Sequence, residues 1–304
     1  MLSSKRSLNK KSSKLSASAP HPAAEVTSSK EGAQARSVEE MREKAKRLRR
    51  HIIAMTAKAG SGHPGGSLSA VEIVTALFFH MLRHDPRNPR WPDRDRFVLS
   101  KGHAAPLLYA TLAETGYFPT AELLTLRQLD SRMQGHTDMT VTPGVEMSAG
   151  ALGQGLSFAI GIALAGRLDR RDYRVYVLIG DGECDEGQIW EAAMAAAHFK
   201  VDNMVAIVDR NRQQIDGWTY EVMDTEPMDE KWHSFGWHTI EVDGHDLAQI
   251  IAALEEAKTI KGKPTVIIAH TTKGKGVSFM ENNLDFHGTA PTPEEAERAL
   301  KELE

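Results

Sequence analysis

A doubly wound α/β domain, its mostly parallel sheet flanked by helices, is the fold class this sequence predicts. Three observations predict it. From residue 37 onward, short apolar runs alternate with helical patterns, the order that builds a parallel sheet with helices on its faces. The stretch 173–213 reads strand, loop, Ala-rich helix, strand, which is the βαβ unit. Both of its strands, 175–179 and 204–208, end in polar turns, Gly180-Asp181-Gly182 and Asp209-Arg210-Asn211. Open α/β sheets hold ligands at such carboxyl ends.

The elements follow in order. Ser37 and Glu40 form a capping box, each able to satisfy the other's free backbone N–H. A basic helix to about residue 58 should follow, with Leu48, Ile52, Met55 and Ala59 along one stripe. The basic run 42–50 reads as its solvated face. Four glycines and a proline at 60–66 predict a tight turn that lets backbone approach a ligand. An apolar helix is expected over 69–81, a surface loop over 84–94 and a short buried strand over 97–100. Helices are expected over 104–115 and 120–129, and an extended segment over 143–148. The glycine-rich 150–155 opens a small-residue helix to about 168. Strands are expected over 238–242 and 264–269, a helix to about 257, a loop over 271–276, and an amphipathic helix over 293–303.

Composition bounds the rest. The chain has 304 residues and a formal net charge of -4, which argues against general nucleic-acid binding. No apolar run approaches the roughly 20 residues that span a bilayer. The one cysteine, Cys184, excludes an intrachain disulfide and fits a reducing, cytoplasmic setting. The first 36 residues carry seven Lys/Arg, two Glu and nine Ser. That composition predicts a disordered tail; as a transit peptide, residues 1–14 lack an amphipathic face. Residues 37–304 read as one domain.

The two strand ends carry the chemistry. Asp181 and Asn211 arrive side by side as oxygen ligands. Mg²⁺ takes oxygen ligands and commonly bridges protein to phosphates. The pair therefore predicts a divalent metal and, through it, a diphosphate, with the Gln213 carbonyl as a further ligand. Gly180 and Gly182 leave room for phosphates. A lone GDG is most often an ordinary turn; an Asn thirty residues later, at the next strand end, makes the signal far more specific.

With that signature the sequence resembles the thiamine-diphosphate enzymes, and more narrowly the N-terminal, diphosphate-binding domain of transketolase, over residues 38–291. Five matches occur in order: SGHPGG at 61–66, SKGHAAPLLYA at 100–110, GALGQG at 150–155, GDGECDEG from Gly180, and FHGTAP at 286–291. The resemblance implies thiamine diphosphate and Mg²⁺ as cofactors, with Asp181, Asn211 and Gln213 at the metal. It implies Gly180, Gly182, His103 and His287 near the diphosphate, and Gly150 and Leu152 beside the bent cofactor. His63 and His136 face the sugar, with His287 sharing that task and His103 beside them. Glu186 belongs where transketolases place a carboxylate between partner domains. Independently of any family, ketol transfer needs proton shuttling near neutral pH and donors for developing alkoxides. The four histidines, all in glycine-containing loops, suit that work if they converge. His245 reads as an exposed turn histidine, outside the site.

The resemblance implies a transfer of a two-carbon ketol unit from a ketose phosphate to an aldose phosphate through a thiamine-diphosphate adduct, as in the pentose phosphate pathway. In transketolases the carboxylate that activates the aminopyrimidine belongs to a second domain, which follows the domain that residues 38–291 resemble. A partner subunit carrying the pyrimidine-binding and C-terminal domains is therefore expected, in an α2β2 assembly. Lys273 and Lys275 make the 271–276 loop more basic than in many transketolases, to meet phosphate, partner or solvent. The alternatives are a specialised ketose-phosphate transketolase, a related thiamine-diphosphate enzyme, or a non-catalytic regulatory subunit. A dinucleotide-binding protein is weaker, since no G-x-G-x-x-G follows a first strand.

Overall fold

The structure is a computed structural model that describes residues 37–304; the tail expected at 1–36 lies outside them. The first helix, α1 (Val38–Ala59), starts at the expected capping box: Glu40 N–H donates to Ser37 Oγ at 3.2 Å and Ser37 N–H to Glu40 at 2.8 Å. It ends at Gly60, in the left-handed region at φ 59°, where glycine carries no Cβ penalty. The expected 69–81 helix starts five residues early and is broken into α2 (Pro64–Ser69), α3 (Val71–Ala76) and a π-turn, Leu77–Met81. Pro64 explains the early start, since proline suits the first helical position. Gly65 and Gly66 thus belong to a helix rather than a turn.

After β1 (Arg96–Leu99) a 3₁₀ turn at Gly102–Ala104 leads into α4 (Ala105–Thr115). The helix expected over 120–129 is a 3₁₀ segment, Thr120–Thr125. Its buried Leu123 and the buried Leu126 that follows it as C-cap sit three apart, the spacing that a 3₁₀ turn aligns. The 143–148 segment joins no strand. Then come α5 (Gln154–Leu168), β2 (Val175–Gly180), α6 (Gly187–His198) and β3 (Met204–Arg210). A hairpin that sequence reading missed follows, β4 (Gln213–Gln214) and β5 (Gly217–Trp218), with short helices α7 (Thr219–Val222) and α8 (Met228–Ser234). The chain continues with β6 (His238–Asp243), α9 (Leu247–Thr259), β7 (Thr265–His270) and α10 (Pro293–Glu302).

Five strands form one sheet in the order β1-β2-β3-β7-β6, every pair parallel. Helices cover both faces, so the inner strands β2, β3 and β7 are buried on both sides, while the edge strand β6 stays largely half-buried or exposed. Tyr176 and Leu178 enter one core cluster with α1, α3 and α4, while Val175, Val177 and Ile179 enter the other with α5 and α6. In the shared register Gly180 pairs with Asp209 and Arg210 with His270. The turns after β2, β3 and β7 therefore leave the sheet together, at one edge.

Candidate cofactor and substrate site

At that edge lies a cavity of about 260 Å³. Of the residues singled out by sequence, His63, His103, His136, His287, Gly150, Leu152, Gly180, Asp181, Gly182, Asn211 and Gln213 all line it. Glu186 does not; it is exposed at the N-terminus of α6, against Gly153.

One wall is acidic and oxygen-rich. Asp181 is 2% exposed and accepts the N–H groups of Gly182, at 2.9 Å, and Arg212. Among the described residues no cationic side chain bonds it. Burial, and then the nearby Asp209 charge, push its carboxyl up to about 7, because a buried charge without a counter-charge is costly. Asn211 is held by its own turn: its Oδ1 accepts from Gln213 N–H at 3.1 Å and its amide donates to Asp209 at 3.2 Å. Gln213 Oε1 is buried without a partner among the described residues. A Cβ at Gly182 would meet Gln214 Cβ at 2.9 Å, so the turn has no room for a side chain there. An uncompensated carboxylate beside amide oxygens fits a hard divalent cation. Asp181, Asn211 and Gln213 would hold it.

Beneath that wall is a polar frame that sequence reading missed. Asp209 is fully buried. Burial raises its carboxyl, but Lys101, Ser69 and Thr271 outweigh that and leave it below the usual range. Lys101, 1% exposed, also donates to Gly66 O at 2.8 Å, which ties α2 to β1 and β3. Glu183 accepts from Ser100 Oγ, from Gly153 N–H at 2.9 Å and from Gly180 N–H at 3.0 Å. It locks the GDG turn to the start of α5. A lysine placed right after the β1 strand, before Gly102, was the one signal for this frame in the sequence.

The opposite wall is a histidine cluster. The His63 ring lies 5.5 Å from His103, 5.7 Å from His136 and 5.7 Å from His287, and His103 lies 5.2 Å from His287. Backbone economy brings them in. Gly62 sits at φ 141°, and a Cβ there would strike Thr56 at 2.9 Å; Gly102 packs so tightly that a Cβ would meet Ala149 at 2.7 Å. Burial first, and then Arg127, lower His63 to about 4. Burial and Lys273 lower His287 to about 3, while burial and Lys101 hold His103 well below its ordinary value. His136 is lowered by burial and Arg127. All four are neutral near pH 7, so each ring offers one donor and one acceptor. His63 Nδ1 has no partner among the described residues. Lys273, 2% exposed, places Nζ 2.7 Å from His287 Nδ1. Burial, with Lys101 nearby, lowers it to about 8.

Two expectations change. Arg49, read as part of a solvated basic face, is 7% exposed and paired with Glu72. His245, read as an exposed turn histidine, is partly buried between Glu72 and the backbone of Thr272. No helix among the described residues is long and apolar enough to cross a membrane.

Comparison with known proteins agrees with this geometry. Residues 41–303 match the family model "Transketolase, thiamine diphosphate binding domain". A 6-deoxy-6-sulfo-D-fructose transketolase subunit of a Clostridium species is 47% identical over 265 residues, 87% of this chain and 96% of that protein. An apulose-4-phosphate transketolase subunit from Phocaeicola vulgatus is 44% identical, over 88% of this chain and 94% of its own. Among solved structures, transketolase from Campylobacter jejuni aligns with a TM-score of 0.83 and 35% identity, across 88% of this chain and 43% of that one.

Proposed function

This chain belongs to the transketolase family, and we propose how its cavity serves that family's chemistry. The protein is the N-terminal, thiamine-diphosphate-binding subunit of a transketolase, a transferase of a two-carbon ketol unit between a ketose phosphate and an aldose phosphate. The observation that carries our reading of the site is the shared cavity in which the Asp181 wall faces four neutral histidines.

Asp181, Asn211 and Gln213, at the ends of β2 and β3, would hold Mg²⁺ and with it the cofactor's diphosphate. Gly180 and Gly182 keep that approach clear of side chains. Lys273 supplies a cation to the same end of the cavity. Bound there, thiamine diphosphate supplies the carbon nucleophile and the electron sink for cleaving and forming the ketol carbon–carbon bond. His63 and His136 hold and move protons at the sugar hydroxyls, with His287 and His103 between them and the diphosphate. Low basicity suits this work: a neutral imidazole can donate to a developing alkoxide through one nitrogen and accept through the other. Leu152 and Gly150 border the cofactor, and Glu186 faces the partner.

The carboxylate that engages the aminopyrimidine comes from a separate polypeptide, which we assign as a C-terminal transketolase subunit in an α2β2 assembly. The subunit names of the relatives, matched over nearly their whole length, support a divided enzyme. The single, buried cysteine suits a cytoplasmic setting. Those same names favour a second reading of the substrate, a specialised ketose in place of xylulose 5-phosphate.

Reconstitution tests the whole. The purified chain is mixed with the co-encoded partner, thiamine diphosphate and Mg²⁺. Xylulose 5-phosphate, apulose 4-phosphate or 6-deoxy-6-sulfofructose is then offered with an aldose phosphate acceptor. Activity from the mixture and from neither part is the expected result; full turnover by this chain alone would refute the divided enzyme.

A further inference from the structure

The loop after β7 carries Lys273 into the cavity, and three elements that never reach the cavity hold that loop from behind. His245, in the turn between β6 and α9, accepts the Thr272 N–H on Nε2 at 2.8 Å. Its proton must then sit on Nδ1, which faces Glu72 Oε2 at 3.1 Å. Glu72, on α3, takes both guanidinium nitrogens of Arg49, at 2.6 and 2.8 Å. Arg49, on α1, in turn donates Nε to the Lys275 carbonyl at 2.9 Å. Burial raises the Glu72 carboxyl, yet Arg49 and His245 together bring it down to about 2, so the carboxylate is charged and fully engaged.

The clamp thus grips the loop one residue before Lys273 and two after it. Between the grips Gly274 sits at φ 80°, where a Cβ would lie 2.1 Å from Met280 O, and its N–H donates to Gly65 O at 3.0 Å. In the loop conformation held this way Lys273 is buried at 2% exposure and reaches His287. A buried lysine with no carboxylate in bonding contact strongly favours solvent unless its backbone is fixed.

We propose that His245 is a positioning residue for cofactor binding: through the Thr272 N–H, and backed by Glu72 and Arg49, it fixes the loop that presents Lys273 to the diphosphate. The proposal rests on the reading that Lys273 lies at the cofactor's anionic end. Nothing in it requires His245 to touch substrate or cofactor. It requires one acceptor toward Thr272 and one donor toward Glu72, which a glutamine amide also provides.

The test is a double-mutant cycle on the full chain with its partner subunit. The main readout is thiamine diphosphate affinity by calorimetry at saturating Mg²⁺; thermal melting checks the fold. We expect His245→Ala to weaken affinity about tenfold, and His245→Gln to restore it to within about threefold. Lys273→Ala should weaken affinity similarly. In the Lys273→Ala background, His245→Ala should cost less than about twofold more, because residues acting through one another are not additive. Hydrogen exchange at the Thr272 amide should rise in His245→Ala and fall back in His245→Gln. If Lys273→Ala weakens binding but His245→Ala does not, or if the two losses multiply, the positioning role is overturned while the site assignment stands. If Lys273→Ala leaves affinity unchanged, the placement of Lys273 at the diphosphate fails and the inference falls with it.

Discussion

The two walls of the cavity solve opposite electrostatic problems with the same material, loops at a parallel sheet edge. On the carboxylate wall a buried carboxyl has no bonded cation among the described residues, and Asp181 rises to about 7. On the histidine wall charge is excluded, and His63 and His287 fall to about 4 and about 3. Burial is the first cause on both sides, because removing water penalises whichever form is charged. The first wall is therefore one that a divalent ion would compensate, whereas the second holds neutral rings near pH 7 without any ion. Buried lysines separate them by role. Lys101 is spent on Asp209 within the frame, while Lys273 bonds only a neutral ring among the described residues and keeps its charge for an anion.

The largest effect should come from emptying the carboxylate wall. Asp181→Ala removes the one charged ligand we propose for the metal, and a metal clamp on phosphate is worth several kcal/mol. Mg²⁺-dependent thiamine diphosphate affinity should fall about 1,000-fold by calorimetry, with the fold retained. Unchanged affinity would refute the metal assignment. The histidine wall should respond differently. His63→Ala deletes the proton carrier we propose, whose Nδ1 has no partner among the described residues. Here kcat of the reconstituted enzyme should fall about 100-fold, within the range of general acid–base catalysis, while cofactor affinity changes less than about threefold. Equal losses of affinity and kcat would mean the two walls are not separable as described.

Much of this division was legible in the sequence, and the reason is local. Asp181 and Asn211 each sit one turn past an apolar strand, so period and turn chemistry placed them at the same edge before any coordinates. The histidines were legible as loop residues, and their convergence required the fold. What escaped was the buried polar frame. Asp209, Glu183 and Lys101 look like ordinary turn residues in a string of letters, since burial of a charge depends on partners 83 or 108 positions away. Arg49 and Glu72 escaped likewise, 23 positions apart on different helices. Within the helix pattern Arg49 reads as solvated, and only the packing of α1 on α3 turns it inward. The hairpin β4–β5 escaped because its two-residue strands carry no periodic signal.

The smallest and most diagnostic effect is in the pH dependence of stability without metal, where the walls have opposite signs. Asp181 rises from 3.8 unfolded to about 7 folded. Its contribution is therefore full below about pH 4 and is lost as pH climbs through 7. The histidines fall from 6.5 to about 4 for His63 and about 3 for His287. Their contribution is full above 6.5 and is lost as pH drops through those values. The two windows overlap from about pH 4 to 6.5, where two histidines outweigh one carboxyl. Urea unfolding of the metal-free chain should therefore show stability rising to about pH 6.5 and then declining to about pH 7. Mg²⁺ should raise the midpoint at pH 8, where Asp181 is ionised, and leave it nearly unchanged at pH 5, where the carboxyl holds its proton. His63→Gln should make the rise below pH 6.5 shallower, whereas Asp181→Asn should make that rise steeper and abolish the decline above it. Equal stabilisation by Mg²⁺ at both pH values would show that the ion binds elsewhere. Both variants changing the slope below pH 6.5 in the same direction would overturn the opposite signs assigned to the two walls.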